Sequence, residues 1–229
     1  MIIDAGPLAG TVQLPVTYNA SGTVNDTLPL ISAAGNAANP GLKTLVPGSR
    51  AVLQGLRFPA SPTVTFNGLA AQVLLAGPER IEVVVPSALG AVTTAQVVVG
   101  SGAQVSSAFD ATIAASAPAI YEGAIFNQNN SANSAAATEQ SGRVLQVFLT
   151  GLPVASGRIT ANLQGELIRV PVAEILYAGE APGYVGVQQV NLRLPAALPA
   201  GANDLAICGF TSNNVEACNA PVRVYVQRP

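Results

Sequence analysis

Short runs of alternating apolar and polar residues recur along the whole chain. In Arg80 to Val85, residues Ile81, Val83 and Val85 share one side while Glu82 and Val84 take the other. In Val222 to Gln227, residues Val222, Val224 and Val226 point one way and Arg223, Tyr225 and Gln227 the other. A period of two belongs to a strand with one face on a core. The same reading predicts strands at Arg50–Gly55, Thr63–Phe66, Gln72–Leu75, Ala95–Val99 and Phe109–Ile113. A second set is predicted at Val144–Thr150, Ile159–Leu163, Val170–Leu176, Val187–Leu194 and Asp204–Cys208. Gly or Pro stands at nearly every junction, at the spacing an antiparallel sandwich produces. Near the start, Val12, Leu14, Val16 and Tyr18 alternate with Thr11, Gln13, Pro15 and Thr17, which predicts a further strand, at an edge because of Pro15. The polar stretch from Asn19 to Thr27 then reads as a linker.

The two sets repeat each other. Gln72 to Gly77 is followed by Ile81 to Pro86 and then Ser87-Ala88-Leu89. About 105 residues later Glu174 to Gly179 is followed by Val190 to Pro195 and Ala196-Ala197-Leu198, with a longer intervening turn over Glu180 to Gly186. This order implies a duplicated domain. The expected class is all-β: two tandem immunoglobulin-like β-sandwich domains with an extra N-terminal strand or linker. Residues 1–27 form that strand and linker, 28–116 the first sandwich and 117–229 the second.

Composition narrows the picture. Of 229 residues 49% are hydrophobic but only 5% aromatic, so the cores must be aliphatic, and Gly (22) and Pro (17) leave little room for long helices. The formal charge is −2, and the ten basic residues, of which only Lys43 is a lysine, form no cluster. Nucleic acid is not an expected partner, because binding it requires several phosphates to be neutralised together. No apolar run reaches the ~18 to 20 residues of a membrane helix, so membrane insertion is not expected either. Met1-Ile2-Ile3-Asp4 carries no basic region followed by an apolar one, so no signal peptide is read there; the expectation is a removed leader or a piece of a longer chain.

Cys208 and Cys218 flank the turn-forming run Thr211-Ser212-Asn213-Asn214. If the flanking segments pair about Asn213, the two cysteines face each other and a cross-strand disulfide forms, which implies an oxidising compartment. Two buried free thiols are the alternative.

Candidate chemistry is sparse. Histidine is absent, which removes the commonest general base and the usual partner of a Ser or Cys nucleophile. Lys43 stands in a Pro/Gly-rich loop with no Ser-x-x-Lys spacing. Glu79 and Glu82, the closest carboxylates, are an odd number of positions apart, which on a strand sends them to opposite faces. Asn203, Asp204, Asn213, Asn214 and Glu216, or Asn127 to Asn133, supply oxygen ligands without the order of a calcium loop, and turn formation accounts for them. No catalytic residue, metal or cofactor is expected. Among aromatic residues Tyr121, Tyr177, Tyr184 and Tyr225 remain for contact with a ligand. Tyr184, between Gly183 and Gly186, is the best placed for such contact, although packing between the two domains is its expected role and exposed contact the alternative. Tyr177, Tyr184 and Gln188 form the expected contact surface.

Several stretches together resemble a known family. They are Ile31 to Ala38, Pro47-Gly48-Ser49, Val64 to Gly68, Gly123 to Ser134 and, most distinctively, Leu176-Tyr177-Ala178-Gly179 continuing through Ala181-Pro182-Gly183-Tyr184-Val185-Gly186 and Gln189-Val190-Asn191 to Pro195. From Leu28 onward, nearly nine-tenths of the chain, the sequence resembles the uncharacterised C-terminal module of large secreted proteins of Solibacter-type acidobacteria. Its first half is also similar to the IPT/TIG-like immunoglobulin modules of plexins and transcription factors. Asn129-Asn130 stands where the family tends to show an Asp-Gly turn, and the cysteine pair is not a family feature. The resemblance implies a secreted or cell-surface appendage attached to other domains of a larger polypeptide, with no catalytic residues. The expected function is a non-catalytic structural, adhesive or domain-presenting role; the alternative is a carbohydrate-binding accessory module whose partner is polysaccharide.

Overall fold

The computed structural model describes residues 2–4, 11–13, 27–153, 159–164 and 167–229. With strands numbered along the chain, β1 (Ile2–Asp4) pairs antiparallel with β2 (Thr11–Gln13). The rest of the alternating stretch, residues 14–18, and the linker residues 19–26 lie outside the described residues.

The first domain has two facing sheets. One holds β3 (Leu30–Asn36), β5 (Arg50–Leu56), β8 (Gln72–Ala76) and β9 (Arg80–Val84) in the order β3-β5-β9-β8. The other holds β4 (Thr44–Leu45), β6 (Thr63–Phe66), β7 (Leu69–Ala70), β10 (Thr94–Ser101) and β12 (Phe109–Ile113) in the order β4-β12-β10-β6-β7, with β11 (Gln104–Val105) folded back on β10. The second domain repeats this. Strands β13 (Ala119–Phe126), β15 (Val144–Thr150), β18 (Ile175–Glu180) and β19 (Gln188–Arg193) run β13-β15-β19-β18. Strands β14 (Glu139–Gln140), β16 (Thr160–Leu163), β17 (Ile168–Val170), β20 (Gly201–Phe210) and β22 (Val222–Gln227) run β14-β22-β20-β16-β17, with β21 (Glu216–Cys218) on β20. Each of the ten strands of one domain therefore has its counterpart in the other, including the short parallel pairs β4 with β12 and β14 with β22. The chain is two tandem immunoglobulin-like sandwiches.

Alternation sets which side chains are inside. Ile81, Val83 and Val85 are all fully buried, as are Leu145, Val147 and Leu149 on β15. Each domain closes its own cluster, and the second is made of Ile, Leu, Val and Ala alone.

Three local features depart from the sequence reading. The expected strand over Val170–Leu176 is two strands, β17 and β18, separated by a 3₁₀ turn at Val172–Glu174. Pro171 is the cause, since it offers no N–H to continue a ladder. Strands β3 and β13 were masked in the sequence by their bulges. In β3 the register slips between Ile31 and Ala33, and in β13 between Ile120 and Ile125, so neither keeps a period of two.

The bulge in β3 depends on a bare backbone opposite it. A Cβ on Gly55 would sit 1.9 Å from the carbonyl oxygen of Leu30 and 2.5 Å from the Phe58 ring. Gly55→Ala is expected to lower the denaturant midpoint by the equivalent of about 1–3 kcal/mol, the usual range for overpacking a rigid site. An unchanged midpoint would contradict the close approach.

Candidate functional site

Residues 116–119, which carry the chain from β12 into β13, are buried, and polar groups of both domains converge there. At the end of β3, Asn36 is buried; its Nδ2 donates to the carbonyl oxygens of Ala117 (3.1 Å) and Thr150 (3.3 Å), while its Oδ1 accepts from Ala38 N (2.9 Å). Ser49 Oγ accepts from Gly151 N at 3.0 Å. Thr150, fully buried, accepts from the Arg50 amide at 2.9 Å and donates its hydroxyl proton to Gly186 O at 2.8 Å. The Arg50 side chain continues the link, with Nε donating to Val185 O (2.7 Å) and Nη1 facing Glu82 Oε1 (3.2 Å). Three segments of the second domain are thus held against the edge of the first.

The turn that meets Arg50 is the Ala181-to-Gly186 motif singled out in the sequence. Tyr184 N donates to Ala181 O and Val187 N to Tyr184 O, which makes two successive four-residue turns. Each has a glycine at the third position with positive φ, Gly183 at 81° and Gly186 at 73°, and Pro182 occupies the second position of the first turn. This is the residue pattern of type II turns. Gly186 has a second reason to be glycine, because a Cβ there would lie 2.9 Å from Arg50 Cγ. Gly151 is similar, at φ 87° with a virtual Cβ 2.2 Å from Ala117 O.

Beside this junction lies an open groove of about 460 Å³, lined by Arg50, Tyr121, Ala124, Phe126, Asn130, Gln146, Phe148, Tyr184 and Val187. Its floor is the outward face of β13 and β15, the side away from the core. Phe126 and Phe148 meet edge to face, ring centres 5.8 Å apart. Gln146 Nε2 donates to Asn130 Oδ1 at 2.9 Å. Asn130 is at φ 66°, a left-handed conformation that asparagine tolerates.

The sequence-predicted residues divide. Tyr184 is 60% exposed at the groove, so its neighbours' carbonyls, not its ring, make the domain contact. Tyr177 is 39% exposed, its hydroxyl donating to Glu180 O and lying over Gly179, where a Cβ would be 2.6 Å away. Gln188 is corrected: it is 3% exposed, its Oε1 accepting from Leu152 N and its Nε2 reaching Gly186 O, so it braces the turn from inside and is no exposed contact. Of the tyrosines considered for ligand contact, Tyr121 joins Tyr184 at the groove; Phe126, Phe148 and Arg50 are not among the sequence candidates, and the available signal is Gln146 and Phe148 at the polar phase of β15.

Cys208 and Cys218 are directly opposed on β20 and β21 and form a disulfide. The Glu216 carboxylate lies within 4.8 Å of both sulfurs, but these are in the bridge and the carboxylate accepts from Thr160 Oγ1 and pairs with Arg169. The asparagines considered for calcium serve the fold: Asn133 bridges Asn127 and Tyr225, and Asn203 Nδ2 donates to the carbonyls of Pro199 and Gly201.

No family model matches the chain, and no curated protein matches it. Among solved structures it is similar to the Bacteroides ovatus surface glycan-binding protein B of a mixed-linkage glucan utilisation locus, at 13% identity over 81% of this chain and 43% of that one, with a TM-score of 0.42. It is similar to the γ-cyclodextrin glucanotransferase of an alkalophilic Bacillus clarkii, at 16% identity over 88% and 27% of the two chains and a TM-score of 0.34. The Ig1-2 module of the Drosophila receptor tyrosine phosphatase DLAR matches at 13% identity over 87% and 99%, TM-score 0.27. The chain spans less than half of the first structures it matches. Similarity at this level carries no functional argument, and the fold rests on the sheets themselves.

Tyr121 reports on the junction. Its hydroxyl is shut off from solvent without a well-aligned partner, and burial pushes its pKa up to about 12 despite the nearby Arg50 charge. An unfolded tyrosine ionises near 10, so the folded state resists ionisation and stability falls as pH rises from about 10 toward 12. In an ultraviolet titration at 295 nm, Tyr121→Phe is expected to remove the last component to ionise. Loss of a component near 10 instead would contradict the burial.

Proposed function

We propose that the chain is a non-catalytic, extracytoplasmic module that holds two immunoglobulin-like domains in one fixed orientation and so spaces or presents other domains of a larger polypeptide. The observation that carries this reading is the Thr150 hydroxyl, buried between the domains and satisfied on both sides by Arg50 N and Gly186 O. A flexible tether would leave such groups to water, whereas buried unpaired polar groups cost about 1–3 kcal/mol each and so resist separation of the domains. The Cys208–Cys218 bridge supports an oxidising compartment. The lack of histidine in the sequence supports a role without acid–base chemistry. Resemblance to the C-terminal module of secreted acidobacterial proteins agrees with attachment to a longer chain.

Small-angle scattering of the intact protein tests the reading. The profile is expected to fit a single interdomain orientation, unchanged by added salt, and Thr150→Val is expected to broaden it into an ensemble. An ensemble of orientations in the unaltered protein would overturn the proposal.

A further inference from the structure

The chain has eleven aromatic side chains, five Tyr and six Phe, and no Trp. Four of them line one groove beside the junction, although the core cluster of the second domain contains none. These rings are therefore not there to close the sandwich. Phe126 and Phe148 occupy outward positions of β13 and β15, where an antiparallel sheet facing water ordinarily shows polar residues. Tyr184, on the double turn, lines the same groove. Three half-buried rings and the exposed Tyr184 lining one concave groove are the kind of surface that marks a binding site.

The polar groups of the groove narrow the ligand. The only charge in the lining, Arg50, is already paired with Glu82 and tied to Val185 O, so the groove has no unmatched cation to attract an anionic ligand. What it does have is a pair of amides. Gln146 and Asn130 bond to each other through Nε2 and Oδ1, which leaves Gln146 Oε1 as an acceptor and Asn130 Nδ2 as a donor, neither bonded to protein among the described residues. Amide side chains continue across the sheet. Asn191 stands beside Gln146 on the next strand and Tyr177 beyond it, while Gln189 stands beside Phe148 and is locked to Asn191 at 2.8 Å. Three inter-strand steps of about 4.8 Å make this strip about 14 Å wide, room for more than one ring.

A neutral sugar chain matches this combination. A pyranose ring has an apolar face of C–H groups and a rim of hydroxyls, each both donor and acceptor, and bears no charge. We propose that this groove binds a neutral polysaccharide, with a ring stacked on Tyr184 and the Phe126–Phe148 pair and its hydroxyls held by Gln146 Oε1 and Asn130 Nδ2. The other class an aromatic groove can take, a proline-rich peptide, has less use for a free donor and acceptor side by side, since it has no hydroxyl rim.

Affinity electrophoresis of the intact protein in native gels tests this, with xylan, galactomannan, hydroxyethyl cellulose and starch as neutral probes and polygalacturonate as the anionic one. At least one neutral polymer is expected to retard the protein while polygalacturonate does not. Tyr184→Ala, at an exposed position, and Gln146→Ala, at a half-buried one, are each expected to weaken that retardation about tenfold with the protein still folded by circular dichroism. Retardation by none of the neutral polymers, retardation indifferent to both substitutions, or binding to a polyproline peptide in place of glycan would each overturn the proposal. Because the scattering experiment reads orientation and this one reads binding, either can fail while the other stands.

Discussion

A hydroxyl without access to water must find both a donor and an acceptor in the protein, and at the centre of this molecule the Thr150 hydroxyl finds them in different segments. Its oxygen accepts from the first domain's Arg50 amide, and its proton goes to Gly186 of the second domain's turn. Asn36 and Ser49 extend the arrangement to Ala117 and Gly151. Polar groups buried in this way specify geometry more than they add stability, because any other docking angle leaves several of them unpaired at once. The groove inherits that geometry, since Arg50 and Tyr184 reach it from the two sides of the junction.

The two domains repeat one strand order but use the same bend differently. Strand β5 ends in Leu56 and is followed by Arg57 at φ 59°, just as β15 ends in Thr150 followed by Gly151 at φ 87°. The same backbone bend is thus used in both copies. In the second copy the residues at the bend are the ones that dock on the neighbouring domain, whereas Leu56 in the first is 45% exposed. Glycine at 151 is required by the approach of Ala117 O, and no comparable contact constrains Arg57, whose guanidinium instead bonds Leu28 O.

The sandwich class and the duplication were legible because alternation survives in strands such as β9, β15 and β22, whose neighbours are regular. The bulged strands β3 and β13 and the break at Pro171 were not, since an irregular register erases the period that alternation reads. The pairing of Cys208 with Cys218 was legible as one of two alternatives, because a turn-forming run at the centre of their spacing sets them opposite each other if a hairpin forms there. The groove was only partly legible. Tyr184 drew notice through its glycine-flanked turn, but Arg50, Tyr121 and Phe148 come from distant strands that only the tertiary fold brings together. The same limit misassigned Gln188, a polar residue on the strand after the turn that the fold uses as an internal brace.

Hydrogen exchange followed residue by residue in the intact protein tests the locked junction most directly. The amides of Arg50 and Gly151, which donate to Thr150 Oγ1 and Ser49 Oγ across the domain boundary, are predicted to exchange as slowly as those in the middle of β15. Exchange at both amides at the rate of exposed loops, with the strands still protected, would show that the domains separate freely and would contradict the account.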